Sequence, residues 1–136
     1  MTHKRQLIRE AIAAEVDTVL SLTGRVFMTR TRRTAQSEMP VALIYTNEEN
    51  SQQDVNDPRL LRDLSVFLEL HIAKVEGIDE TLDGLCEPVE AVIAANPRLG
   101  GLALNTVLAR TRMGYDGEGD EKHGVAILTF EVMYRT

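Results

Sequence analysis

The sequence predicts an α+β domain, with a mixed or antiparallel sheet of about five strands and two main helices packed on one face. Three observations carry this. Leu7, Ile8, Ala11, Ile12, Val16, Val19 and Leu20 recur at three-and-four spacing, as do Ile78, Leu82, Leu85, Val89, Val92 and Ile93, so each set lines one stripe of an amphipathic helix. Residues 64–72 and 124–134 instead alternate with a period of two, as half-buried strands do. An acidic, glycine-rich connection, residues 116–123, folds residues 106–115 back on the last run as an antiparallel hairpin.

The elements follow in order. The first helix is expected over residues 3–22, with Thr2 as its N-cap and Gly24 as a left-handed stop. Residues 25–33 alternate polar and apolar and are rich in strand-favouring Thr, Val and Phe. Pro40 then suits a strand entrance before the apolar run 41–45. These two runs read as a hairpin whose tip carries Arg30, Arg32 and Arg33. Residues 46–59 read as a long polar loop with Glu48, Glu49, Asp54 and Asp57; a connection of that length is either a solvated surface or a segment that orders against a neighbour. Asp79 is expected to cap the second helix, with Glu80 and Asp83 in its first turn, where the helix dipole favours negative charge. Pro88 predicts a kink or two short helices, and Asn96-Pro97 with Gly100-Gly101 leads into the final hairpin.

A chain of 136 residues with 43% hydrophobic content can bury a core as one domain, residues 1–136, without staples. Its single cysteine, Cys86, makes no intrachain disulfide, and no apolar run is long enough to span a bilayer. A soluble protein in a reducing compartment is the expectation. The net charge of −6 is uneven: residues 1–34 carry seven Lys or Arg against three acids, and the remainder eight against eighteen. Such a chain repels nucleic acid and anionic membrane as a whole, while the local cluster of Arg30, Arg32 and Arg33 can still meet an acidic partner.

Catalytic chemistry finds no constellation. His3, His71 and His123 are scattered without a second ligand type at metal spacing, and acids rather than bases flank Cys86, which disfavours a thiolate. Asp116, Glu118 and Asp120 resemble the start of a calcium loop. Glu121, however, stands where an EF-hand needs Gly, and Ile127 where it needs a bidentate Glu, so an EF-hand is excluded. A weaker Mg2+ or Ca2+ site and an exposed acidic tip remain as readings of that loop; no other cofactor is expected.

As an ordered set, the features resemble the tail terminator proteins of long-tailed bacteriophages, of the lambda minor tail protein U type. The set comprises the amphipathic N-terminal helix, the Pro-led run MPVALIY, a polar acidic stretch, the alternating LSVFLELHI, the acid-capped DETLDGL, and GYD opening an acidic loop before TFEVMY. The Gly100-Gly101 pair and Pro88 depart from that pattern. The resemblance implies a non-enzymatic virion protein, assembled in the host cytoplasm and resident in the tail. It implies a hexameric ring that caps the tube, ends its polymerisation and joins the head, with the major tail tube protein and a head-completion protein as partners and DNA only as cargo in the lumen. On that footing Arg30, Arg32 and Arg33 would meet Glu48, Glu49, Asp54 and Asp57, or the loop 116–121, of the next subunit or the tube. Arg110 and Arg112 would line the lumen or stand as ordinary surface charge. The alternatives are another head-tail joining or tail completion protein, and a small-ligand-binding α+β domain.

Overall fold

The computed structural model describes residues 2–29, 38–54, 56–73, 76–116 and 123–136. The predicted class is the one observed. Helix α1 (Lys4–Asp17) is followed by strands β1 (Val26–Phe27), β2 (Val41–Asp54) and β3 (Asp57–Ile72), helix α2 (Ile78–Ala94), and strands β4 (Asn105–Asp116) and β5 (His123–Arg135). The five strands form one sheet in the order β1-β2-β3-β5-β4, antiparallel except at β1. Both helices pack on one face, where Ile8, Ile12, Val16, Leu82, Val89 and Ile93 meet Ile44, Val66, Leu68, Leu128, Phe130 and Val132 in a single buried cluster.

Several local expectations are corrected. Residues 46–54 are not a loop: they continue β2, which pairs with β3 from Val41↔His71 to Asp54↔Asp57. Asn, Glu, Gln and Asp are poor strand formers, and here the cross-strand pairing with β3 overrides them. Nor do residues 25–33 and 41–45 form a hairpin, because Val26↔Ala42 and Phe27↔Leu43 pair in parallel. The arginine tip of that supposed hairpin, Arg30, Arg32 and Arg33, lies outside the described residues.

Helix ends differ as well. His3 rather than Thr2 caps α1, its Nδ1 accepting from the Arg5 amide at 3.0 Å. The helix stops at Asp17 and a 3-10 turn, Leu20–Leu22, follows. Asp17 itself fixes this exit: its Oδ1 accepts from the Gly24 amide at 2.8 Å, and its carbonyl accepts from the Thr23 hydroxyl at 2.8 Å. Gly24 does take the left-handed conformation, φ +75°, but in the turn after the helix. At α2 the cap is Gly77, and Asp79 sits with Glu80 in the first turn. The helix runs through Pro88 unbroken. The carbonyl that Pro88 leaves without its helical partner belongs to Gly84, an exposed position open to water.

A buried charge ties the layers together. The phase of β2 shifts between Thr46 and Glu48, so Glu48 opposes Ser65 on the helix-free face while Glu49 opposes Leu64 on the helix side. There Glu49 Oε2 accepts from Arg5 Nη1 of α1 at 2.7 Å and from Arg62 Nη1 of β3 at 3.0 Å, and Oε1 accepts from the hydroxyl of fully buried Tyr134 on β5. Burial alone would raise the Glu49 carboxyl, but these three donors outweigh it and hold the group below its ordinary value. Tyr134, buried and facing this anion, is pushed up to about 12.

A Cβ at Gly124 would lie 2.7 Å from Ile78 Cγ2 and 2.9 Å from Ile72 Cγ1, so Gly124→Ala should destabilise by about 1–3 kcal/mol, read as a lower midpoint in denaturant. Glu49→Gln should cost about 2–3 kcal/mol, less than a fully buried pair because Arg5 is partly exposed. Because folding lowers the Glu49 pKa, its stabilisation is complete above the unfolded carboxylate value and is lost as pH falls through the lowered folded value. Stability measured from neutral pH downward should therefore fall less steeply below about pH 4.5 in the Gln variant.

Candidate assembly surface

The second face of the sheet carries no helix among the described residues. Strand register builds it in rows across β2, β3, β5 and β4. One row runs Glu48, Ser65, Glu131 and Val107; the next Tyr45, Phe67, Thr129 and Arg110; the next Leu43, Glu69, Ile127 and Arg112. The middle of this surface is a shallow groove of about 390 Å3. Its lining mixes polar and apolar groups: the Tyr45 and Phe67 rings stack with centroids 5.5 Å apart, and charges of both signs flank them, Arg110 and Arg112 on β4 and Glu48 and Glu131.

The acidic wall is electrostatically crowded. Ser65 Oγ donates to Glu131 at 2.8 Å, yet burial, a hydrogen bond with Asp63, and the charges of Asp63 and Glu48 together raise the Glu131 carboxyl. A cationic partner laid along this wall would relieve that repulsion.

Toward the β4–β5 connection the same face holds a chain of polar side chains. The Tyr45 hydroxyl donates to Glu69 Oε2, Glu69 Oε1 lies 2.9 Å from His71 Nε2, and His71 Nδ1 lies 2.8 Å from His123 Nε2. The His71 contact, aided by Tyr45, outweighs burial and lowers the Glu69 carboxyl. Two of the three histidines that look scattered in sequence are thus neighbours. The pattern placed His71 on the less apolar face of its strand, but only the β3–β5 register, in which His71 opposes Val125, brings His123 beside it.

The sequence-predicted site residues are dispersed. Glu48 lines the groove, Glu49 is enclosed within the subunit, and Asp57 sits at the β2–β3 turn, held well below the usual carboxylate range by Arg59. Asp54 and Asp116 are placed by their backbones at the ends of β2 and β4, and Glu118 and Asp120 lie outside the described residues. Among the described residues no group of three or more His, Cys, Asp or Glu is arranged to hold a metal ion. Cys86 is buried, and burial with Glu90 and Asp83 pushes its thiol up to about 11, which leaves it a poor nucleophile. No helix among the described residues is long and apolar enough to cross a membrane.

The sheet edges complete the surface. Among the described residues β4 has β5 on one side and no strand on the other, while β1 pairs with β2 at Ala42 and Leu43. Along β4 the side chains of Val107, Met113 and Tyr115 are 52%, 52% and 68% exposed. A long edge flanked by large apolar side chains is what a lone soluble domain avoids.

No curated protein matches the chain. Among solved structures it is similar to a chain described as the virion of a native gene transfer agent (GTA) particle, at 11% identity, covering 98% of this chain and 92% of that one with a TM-score of 0.39, a likeness too slight to argue from. A family model described as phage minor tail protein U matches residues 3–134, nearly the whole chain. The chain therefore belongs to the phage minor tail protein U family, as a structural, non-catalytic protein of the virion tail.

Proposed function

We propose that this tail protein forms a closed hexameric ring on the head-proximal end of the tail tube, stops addition of tube subunits and presents the surface to which the head joins. The observation that supports this reading best is the outer edge of β4. Among the described residues no strand pairs with that side of Asn105–Asp116, along which Val107, Met113 and Tyr115 are exposed. Pairing this edge with a different surface of the next copy is a head-to-tail contact, which passes the same interface around a ring until it closes.

Within such a ring the helices take the outside and the helix-free face the lumen, where Arg110 and Arg112 meet the phosphates of passing DNA. The axial surfaces then hold the loops. Arg30, Arg32 and Arg33 on one copy would meet acidic groups, Asp54 and Asp57 at the β2–β3 turn or the loop 116–121, on a neighbour or on the tube protein; Glu48 would take part from the groove wall. Glu49, already engaged by Arg5, Arg62 and Tyr134, would act through its own subunit by holding β2 in register. The head-completion protein would dock on the end of the ring away from the tube. A Mg2+ or Ca2+ ion at Asp116, Glu118 and Asp120 would offset the acidic charge that assembly concentrates.

Light scattering during size exclusion, with and without millimolar Mg2+ and with purified tube protein, tests the reading. The expected result is the mass of a hexamer of the 15.2 kDa chain, alone or on the tube, and its loss when Met113 and Tyr115 are replaced by Glu, with the unfolding midpoint kept. Dependence on the ion would assign the acidic loop a part. A chain that stays monomeric throughout and leaves tube length unchanged would refute the proposal. Reversing Arg32 and Arg33 to Glu should weaken assembly and flatten its salt dependence; unchanged assembly would remove those residues from the interface.

A further inference from the structure

We propose that the helix-free face of the sheet pairs with the same face of a second copy, Arg110 and Arg112 of each chain meeting Glu131 and Glu48 of the other. Within one subunit these charges stand apart. Arg110 and Arg112 are exposed on β4, and among the described residues neither has an ion-pair or hydrogen-bond partner. Glu48 is exposed on β2 and Glu131 half-buried on β5, and among the described residues no cation is paired with either. Burial, together with the charges of Asp63 and Glu48, raises the Glu131 carboxyl, so this wall favours a cation that the subunit does not itself supply.

The pattern is complementary to itself. Glu48 on β2 and Arg112 on β4 lie at opposite corners of a patch three strand spacings across, about 14 Å, and about 14 Å tall from the Ser65 row to the Glu69 row. A two-fold axis in the plane of contact, running along the other diagonal from Leu43 to Val107, exchanges those two corners. The same rotation carries Arg110, in the Thr129 row, over Glu131 of the second copy. It crosses the strands of the two sheets at nearly a right angle, which is one of the two ordinary ways in which sheets pack. A two-fold axis parallel to the strands would instead set Glu48 over Val107 and Arg112 over Leu43, so charge selects the diagonal. Because the contact is isologous, each ion pair forms twice.

Between the charged corners the contact has an aromatic centre. Tyr45 and Phe67 are stacked there with Ile127 beside them in the groove, and Tyr, Phe and Arg are side chains in which the buried parts of protein interfaces are rich. In the proposed ring this face lines the lumen, so face pairing belongs to chains not yet on a tube and is undone as the ring closes. The pairing itself rests on the charges of the face and not on the ring reading.

Sedimentation equilibrium at about 50 mM and about 500 mM salt tests it. At low salt the natural chain should reach twice its mass of 15.2 kDa, and its dissociation constant should rise at least about tenfold at high salt. Met113→Glu with Tyr115→Glu, on the helix side of β4 by register, removes the edge that the ring uses and should leave the pair intact, so loss of the ring and loss of the pair are read separately. Arg110→Glu with Arg112→Glu, and separately Glu48→Lys with Glu131→Lys, should each weaken pairing at least about tenfold, and an equimolar mixture of the two should restore it. Should Glu131→Lys unfold the chain, Arg112→Glu mixed with Glu48→Lys, both at exposed positions, makes the same comparison. A natural chain that is monomeric at about 100 µM, its face left to a different partner, or that assembles only as a hexamer would overturn the proposal. So would a mixture that pairs no better than its separate components.

Discussion

Glu49 is the constraint on which the arrangement of layers rests. One carboxylate receives a guanidinium from α1, a guanidinium from β3 and a phenol from β5, and it is itself carried by β2. A carboxylate this enclosed is costly unless its oxygens are satisfied, so the four elements are held to the one geometry that satisfies them. The apolar core supplies most of the driving force but little direction, since hydrophobic burial does not choose a register. The phase shift of β2 before Glu48 supplies that choice: a single step in register would turn Glu49 out and Glu48 in, and leave Arg5, Arg62 and Tyr134 without their anion. Lys4 Nζ donating to the Arg135 carbonyl at 2.8 Å closes the same corner at the C-terminal end.

The consequence is a subunit finished on one side only. With both helices committed to one sheet face, the other face keeps its charges and aromatic floor, and among the described residues no strand pairs with the outer side of β4. These are the features that a family of tail proteins can use for assembly, and they arise from ordinary packing rules: two amphipathic stripes cover one face of a five-stranded sheet, and among the described residues no helix is left for the other. The opposite charges of Arg110 and Arg112 against Glu48 and Glu131 give that face a direction, so a partner sees two unlike walls.

Much of the fold was legible in the sequence because periodicity reports directly on burial. The alternation of Leu64, Val66, Leu68, Leu70 and Ile72 gave the central strand, the stripe from Ile78 to Ile93 gave α2, and the glycine-rich connection gave the β4–β5 hairpin. The polar run TNEENSQQD has the composition of a loop, because strand propensity is small beside pairing and its pairing partner lies across the turn. The parallel placement of β1 has no local signature at all; it depends on where the chain goes between the two strands. The surface was less legible than the fold. Glu48 and Glu49 look alike as neighbours in an acidic stretch, and only a bulge sends one to the groove and the other to the core. His71 and His123, fifty-two positions apart, meet through a register that no single-sequence pattern encodes.

In the proposed ring, the outer edge of β4 is completed by a further copy at the end of a tail tube. Electron microscopy of the protein bound to purified tubes tests it most directly. The expected image is a closed hexameric ring at one end of each tube, with density continuous between β4 of one copy and its neighbour. Single copies scattered along the tube wall, or a ring whose subunits meet through their helices with β4 left bare, would contradict it.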